Sequence, residues 1–169
     1  MQIRSLTAGA VLLGLLTATP ARAEWTYKEI VDPMSDVRRG IMAAQGDNAS
    51  IVIKCDENGD GSLYIHIIST KYLGEGRSPS RTVKYRIDGG VPQEISGYHD
   101  KNGVLISQVK PGTAGGKMLE GILSGAKLVL QLTTYDFESY TSVIDVAGAR
   151  ANFAKAAKTC GDTSWALAS

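Results

Sequence analysis

Most of this chain is built from short runs in which apolar and polar residues alternate, separated by turns rich in Gly, Asp, Asn and Pro. In the clearest run, Val83, Tyr85 and Ile87 alternate with Lys84 and Arg86. One face of an extended strand is then apolar and the other is charged. Such runs are typical of antiparallel strands that bury one face and leave the other in water. We therefore expect a mainly β protein, either an antiparallel β-sandwich or a partly open barrel.

The alternation extends along nearly the whole chain, and helical spacing occurs in two segments. Residues 116–124 carry four apolar side chains at helical spacing, which predicts a short helix. Residues 149–159 place apolar side chains on one face and Lys or Arg on the other, which predicts a C-terminal helix capped by Gly161. The predicted strands cover residues 25–30, 39–44, 50–55, 62–68, 82–87, 92–95, 104–109, 127–132 and 140–145.

Residues 1–23 have the pattern of a secretory signal peptide. Arg4 precedes an apolar run, and Ala21-Arg22-Ala23 supplies the small residues of a cleavage site. The apolar run is shorter than the roughly 20 residues that a membrane-spanning helix needs. We therefore expect cleavage after Ala23 and delivery to the periplasm or the exterior, with no transmembrane segment left. The rest is predicted to form a single β-rich domain over residues 24–161, followed by a loose tail at 162–169 from which Trp165 could pack back onto the domain.

The charge balance gives no indication of a polyanionic partner. The chain has 18 Lys and Arg against 17 Asp and Glu, and loss of Arg4 and Arg22 with the signal peptide leaves 16 against 17, a net charge of −1. The densest basic stretch, residues 77–86, alternates with uncharged residues as a solvated strand face does. Nucleic acid is therefore not an expected partner.

Cys55 and Cys160 are the only cysteines. Export would carry both into an oxidising compartment, where a single pair tends to form a disulfide. Neither belongs to a C-x-x-C motif, so we predict a structural bridge that ties the last helix to the third strand and its sheet rather than a catalytic thiol.

Several short landmarks follow one another in a recognisable order. They are Trp25, Asp-Pro-Met-Ser-Asp at 32–36, an apolar strand ending in Cys55, Leu-Tyr-Ile at 63–65, Val-Lys-Tyr-Arg-Ile-Asp-Gly at 83–89, and Val-Ile-Asp-Val-Ala-Gly at 143–148 before a helix and Cys160. This order resembles the TagO/VasI family of accessory proteins of bacterial type VI secretion. The resemblance implies a periplasmic β-rich domain with one disulfide and no known catalytic centre, whose partner is an envelope or secretion-system protein.

A second resemblance rests on residues 85–90 and 127–157, which are similar to the invasion-associated locus B family of exported bacterial β proteins. That family usually has a further cysteine pair after the Asp-Gly turn, whereas residues 91–120 contain no cysteine. The TagO/VasI resemblance is therefore ranked first.

Two metal-binding patterns are incomplete. Asp56, Asn58 and Asp60 match the first half of a calcium loop, but the twelfth position is Ile67 rather than a bidentate Glu. A hairpin turn is the expected structure there. His66 and His99, the only histidines, have no local ligand spacing for zinc. We predict no metal and no cofactor.

No catalytic signature stands out. A triad could be composed from one histidine, Asp88 or Asp145, and a serine, but no G-x-S-x-G elbow supports it. We expect a non-enzymatic binding or assembly factor. The alternative is an enzyme, or an enzyme inhibitor, that acts on the cell wall; a pocket that gathers His66 or His99 with two carboxylates would favour catalysis.

Arg86 and Asp88 are the candidate ligand or partner contacts. Being two residues apart, they are predicted to share one face of a strand, where an ion pair with a neighbouring strand would explain both. The structural ion pair is favoured on general grounds. The functional alternative is recognition of a carboxylate or of the acidic groups of peptidoglycan, because the forked donors of arginine suit them. An exposed sheet edge and the loops at 77–80 and 100–102 are further places where a partner could bind.

Overall fold

The structure is a computed structural model, and it describes residues 24–57, 63–75 and 81–165. The predicted signal peptide, the calcium-like residues Asn58 and Asp60, the loop at 77–80 and residues 166–169 lie outside this part of the chain. Within it, the chain forms ten strands and two helices. They are β1 (Thr26–Val31), β2 (Arg38–Gln45), β3 (Ala49–Asp56), β4 (Leu63–Ser69), β5 (Gly74–Glu75), β6 (Arg81–Ile87), β7 (Gln93–Lys101), β8 (Gly103–Ile106), α1 (Ala114–Ser124), β9 (Lys127–Thr133), β10 (Ser139–Asp145) and α2 (Ala149–Cys160).

The strands form one antiparallel sheet that curls into a half-barrel. Their order is β1-β2-β3-β4-β8-β7-β6-β9-β10, and the short β5 pairs with β7. The prediction of a mainly β fold with a short helix and a C-terminal helix is confirmed. Of the two expected architectures, the half-barrel corresponds to the partly open barrel.

β7 joins the two halves of the sheet. Its first part pairs with β6, as far as Gly97 opposite Arg81, and its second part pairs with β8, from Tyr98 opposite Leu105. A Cβ atom at Gly97 would lie 2.5 Å from Cγ1 of Val104, so only glycine fits where the strand changes partner. The sequence predicted a strand only over 92–95, which is too short, and its predicted strand at 104–109 is too long because β8 ends at Ile106.

The helices cover the concave face of the sheet, where the main core lies. α2 packs mainly on β2 and β3, and α1 packs beside α2. Met42, Ile53 and Phe153 are fully buried there. A Cβ atom at Gly40 would lie 2.8 Å from Cα of Ala156, so the helix backbone rests directly on β2 at this glycine.

The two cysteines are paired across this core. Cys55 ends the buried face of β3 and Cys160 ends α2, at disulfide-bonding distance with Cα atoms 5.7 Å apart. The predicted pairing of helix and sheet is therefore confirmed. Gly161 caps α2: it adopts a φ of 65° and donates its backbone N–H to the carbonyl of Ala157, as the predicted cap requires.

One residue of the predicted tail, Trp165, packs on the core. Trp165 is buried, and its ring packs edge-on against Phe153 with the centroids 6.0 Å apart. The side chain contributes to the core because a large aromatic ring buries more apolar area there than any neighbouring residue of the tail can.

The β2–β3 turn covers the free edge of β10. The carboxylate of Asp47 accepts hydrogen bonds from the Ser142 hydroxyl and the Val143 backbone N–H, both at 2.8 Å. The side-chain amide of Asn48 donates to the carbonyl of Thr141 at 3.1 Å. Chiefly the Ser142 hydroxyl, and then the Val143 N–H, lowers the pKa of Asp47. Two backbone groups of this edge, the Val143 N–H and the Thr141 carbonyl, are thus satisfied from within the chain.

Candidate functional site

A groove lies on the convex face of the sheet, across β6, β9 and β10, on the side away from the helices. Its volume is about 350 Å³. Its lining combines two cationic side chains, apolar walls and uncharged polar groups. The residues that line it are Lys84, Tyr85, Arg86, Pro92, Val129, Gln131 and Thr141.

Strand register brings these residues together. Lys84 lies opposite Gln131, which in turn lies opposite Thr141, and Arg86 lies opposite Val129. Residues directly opposite each other in an antiparallel pair project from the same face of the sheet. The alternation in β6 turns Tyr85 inwards, where its hydroxyl donates to the side chain of Gln93 at 2.9 Å. The charged residues Lys84 and Arg86 of β6 therefore project from the convex face.

The two cations of the groove differ in their partners. Lys84 forms an ion pair with Glu94 on β7, with Nζ 3.4 Å from Oε1. The exposed Arg86 forms no hydrogen bond or ion pair with any residue that the structure describes. Its guanidinium offers five N–H donors in a planar fork, which fits a carboxylate or phosphate with two parallel hydrogen bonds. Arg86 is therefore the group in the groove best placed to bind an anion.

Asp88 does not line the groove; its carboxylate stabilises the turn after β6. β6 ends at Ile87, and Asp88 adopts a φ of 47° in the turn that follows. Its carboxylate accepts hydrogen bonds from the backbone N–H groups of Ala126, at 3.1 Å, and Lys127, at 2.8 Å. The predicted sharing of one strand face with Arg86 is wrong, because the strand stops before Asp88. The predicted ion pair of either residue with a neighbouring strand is not found among the described residues.

The two histidines lie on opposite faces of the sheet. His66 lies opposite Leu105, whereas His99 lies opposite Val104, the next residue along β8. Burial is the main cause that lowers the pKa of His66, with the positive charge of Lys54 adding to it. The Nδ1 atom of His99 lies 3.3 Å from the carbonyl oxygen of Gly97. The histidines therefore do not share a site.

The other predicted catalytic and metal-binding groups are not gathered either. Within the described ranges, no three His, Cys, Asp or Glu side chains cluster so that they could hold a metal ion. Asp145 accepts a hydrogen bond from the backbone N–H of Ala147 at 2.9 Å, ahead of α2. Asp56, the first residue of the calcium-like motif, is paired with Arg39. Asn58 and Asp60 lie outside the described residues.

The loop at 100–102 is a tight turn between β7 and β8. Lys101 adopts a φ of 56°, and the side-chain amide of Asn102 donates to the carbonyl of Ser69 at 3.0 Å. The turn is thus tied to the end of β4, and the side chain of Asp100 remains exposed next to it.

Sequence reasoning identified Arg86 but missed the rest of the groove. Val129, Gln131 and Thr141 were assigned to strands without a role, because only the register of β9 against β6 places them beside Arg86. It also missed an exposed aromatic surface. Two aromatic residues, Tyr135 and Phe137, occur in a hairpin turn, where small polar residues are usual, and this was a signal that could have been read.

Comparisons of the chain with protein-family models, with curated proteins and with solved structures give no match. In the part of the chain that the structure covers, neither helix is long and apolar enough to cross a membrane.

Proposed function

We propose that this chain is a non-enzymatic binding protein of the bacterial cell envelope, and that the groove around Arg86 binds a partner through a carboxylate. One observation carries the proposal: an exposed guanidinium in a groove, with no partner among the described residues. An arginine that stabilised the sheet would be expected to pair with a carboxylate on a neighbouring strand, as Lys84 does with Glu94.

The groove's other residues suit the same kind of ligand. Val129 and Pro92 provide apolar contact for the body of a ligand, and Gln131 and Thr141 provide hydrogen-bond donors and acceptors. Apolar walls with a few polar groups are the usual composition of a binding site. A ligand that carries a carboxylate on an extended chain would bind Arg86 through the carboxylate. Its backbone or ring would then lie along β9.

The envelope location and a role as an accessory to type VI secretion rest on the resemblance to the TagO/VasI family and on the pattern of residues 1–23. A non-enzymatic role is supported by His66 and His99 lying on opposite faces of the sheet. The alternative, a cell-wall-directed enzyme, would need one of the two histidines beside two carboxylates. Within the described ranges, no three His, Cys, Asp or Glu residues cluster so that they could hold a metal ion.

The proposal is tested by capture from a solubilised bacterial envelope fraction. One half of the fraction is left intact, and in the other half carboxylates are blocked with carbodiimide and ethanolamine before mixing. We expect the mature protein to recover a partner from the intact half alone. Because a charge-assisted hydrogen bond contributes about 1.5 to 3 kcal/mol, Arg86→Ala should reduce recovery by roughly tenfold or more.

Two further variants sharpen the test. Arg86→Lys keeps the charge but loses the fork, so its recovery should fall between the wild type and Arg86→Ala. Lys84→Ala is the matched control, because Lys84 lines the same groove but is paired with Glu94. Equal recovery by the wild type and Arg86→Ala, or equal recovery from the blocked and intact halves, would refute carboxylate binding by Arg86.

A further inference from the structure

A second surface lies where the loop after β4 meets the β9–β10 turn, and it exposes three aromatic rings: Tyr72, Tyr135 and Phe137. We call these three residues the aromatic patch. Their exposed fractions are 49%, 62% and 78%. The rings of Tyr72 and Tyr135 lie with centroids 5.9 Å apart, and the Tyr135 N–H donates to the carbonyl of Tyr72 at 3.3 Å. A cluster of exposed aromatic side chains favours an interaction surface, whereas single exposed apolar residues are common on any protein.

The turn displays Phe137 at a conformational cost. Phe137 adopts a φ of 67°, in the left-handed region that bulky residues rarely occupy. Thr134 holds the turn: its carbonyl accepts from the Phe137 N–H at 3.0 Å, and its hydroxyl accepts from the Glu138 N–H at 3.0 Å. Because the side chain is mostly exposed, burial of the ring does not offset the strain. Strain of this kind is concentrated at functional surfaces.

Two carboxylates face each other beside the aromatic patch. Glu75 on β5 lies directly opposite Asp100 on β7. Like charges at directly opposed positions destabilise an antiparallel pair. Neither carboxylate forms an ion pair with a described residue. Desolvation, and then the negative charge of Glu75, raises the pKa of Tyr72, which places this acidic pair next to the exposed ring.

A cation already lies against an aromatic ring at this end of the sheet. The Nζ atom of Lys71 is 4.9 Å from the centroid of the Tyr140 ring, whose hydroxyl is hydrogen-bonded to Ser69. An ammonium over the face of a tyrosine ring is attracted by the negative charge of that face. Among the described residues around the aromatic patch, Glu75, Asp100, Asp136 and Glu138 are negative, and Lys71 and Lys101 are positive.

We propose that the aromatic patch and the Glu75–Asp100 pair bind a basic segment of a partner protein, with Arg or Lys side chains over the tyrosine rings and beside the two carboxylates. This site is separate from the groove, which takes a carboxylate on Arg86. A neutral glycan fits the observations less well. Sugar rings stack best on coplanar aromatic rings, whereas Tyr72 and Tyr135 are inclined by 53°. A neutral sugar also has no positive charge to relieve the repulsion between Glu75 and Asp100.

The test uses the mature, oxidised protein and three probes, with binding measured by titration calorimetry. The probes are an end-capped Gly-Arg-Ala-Arg-Gly peptide, the same peptide with citrulline in place of arginine, and chitohexaose. We expect the arginine peptide to bind about tenfold more tightly than the citrulline peptide, because citrulline keeps the shape but not the charge. Equal binding of the two peptides, or binding of chitohexaose alone, would overturn the proposal.

Four variants test whether the peptide binds at this surface. Tyr135→Ala combined with Phe137→Gly removes two rings, and glycine suits the left-handed φ at 137, so the turn should be kept. This variant should bind the arginine peptide about tenfold more weakly. Met34→Ala is the matched control, since Met34 is 93% exposed on the β1–β2 loop and should leave binding unchanged. Equal loss in both variants would mean unspecific apolar contact and would overturn the proposal.

The third variant separates recognition from folding. Glu75→Gln combined with Asp100→Asn removes the like-charge repulsion, so the melting temperature should rise while peptide binding weakens. Unchanged binding in this variant would refute the role of the carboxylates. Arg86→Ala should leave peptide binding unchanged, so failure of the peptide site and failure of the carboxylate groove are distinguishable.

Discussion

The concave and convex faces of the half-barrel come from the same strands but differ in what they hold. On the concave face, Tyr85 and Leu130 are buried in the core. On the convex face, Arg86 and Gln131 follow them directly in sequence and line an open groove. Because side chains alternate between the two faces of a strand, a residue that packs in the core is followed directly by one that lines the groove. Substitutions on the two faces should therefore affect different measurements, and four predictions test this.

The largest loss of stability is expected from removal of the cysteine pair. Replacing Cys55 and Cys160 together with Ala should lower the free energy of unfolding by about 4 kcal/mol, since the bridge closes a long loop between β3 and α2. Urea denaturation of the purified variant measures this loss. Reduced wild-type protein is the control and should unfold at nearly the same urea concentration as the variant. A loss below about 1 kcal/mol would contradict a stabilising bridge.

The next largest loss of stability is expected when a methyl group is added between β2 and α2. Gly40→Ala places a Cβ atom 2.8 Å from Cα and 2.9 Å from the carbonyl oxygen of Ala156. The helix must shift, at a cost of about 1 to 3 kcal/mol in the free energy of unfolding. Adding Ala156→Gly should not restore stability, because the clash is with the backbone. Full rescue by that second substitution would show that the contact is between side chains only.

Asp47 should make the half-barrel sensitive to acid. Its pKa is lowered in the folded protein, so it stabilises the fold above the ordinary carboxyl pKa near 4, and this stabilisation is lost as pH falls through the lowered value. Because Asp47 is exposed, we expect only about 1 kcal/mol at neutral pH. Asp47→Asn should therefore lower the melting temperature at pH 7 but much less at pH 2. Glu120→Gln, on the exposed side of α1, is the control for the loss of one surface carboxylate.

The smallest effect on stability is expected on the convex face. Arg86→Ala should change the free energy of unfolding by less than about 0.5 kcal/mol, because the guanidinium has no partner among the described residues. The same variant is expected to lose envelope capture. A large loss of stability in Arg86→Ala would mean that the two faces are not separate in function.

The strands and helices were largely readable from the sequence, since each is marked by local periodicity. β2, β3, β6, β9 and α2 lie within one or two residues of the predicted ranges. The length of β7 and its change of partner strand could not be predicted from the sequence. Ser96 and Gly97 resemble a strand end when taken locally, yet pairing with β8 continues the strand to Lys101. Pairing between strands overrides local preference there.

The candidate sites were readable only in part, because each depends on residues distant in sequence. Arg86 could be singled out from its strand, but Gln131 and Thr141 reach it only through the register of β6 with β9 and β10. Asp88 was predicted to share a strand face with Arg86 because the end of β6 could not be located from alternation alone. Its hydrogen bonds to Ala126 and Lys127 depend on where α1 ends.

The link between Cys55 and Cys160 also closes most of the domain into a covalent ring. A protease that cuts one peptide bond between these residues opens the ring but releases no fragment, because both pieces stay joined through the sulfur atoms. The cut chain keeps α2 tethered to β3 and can re-form its packing at high effective concentration. Single cleavages in the convex surface should therefore leave one particle, visible as two bands only after reduction.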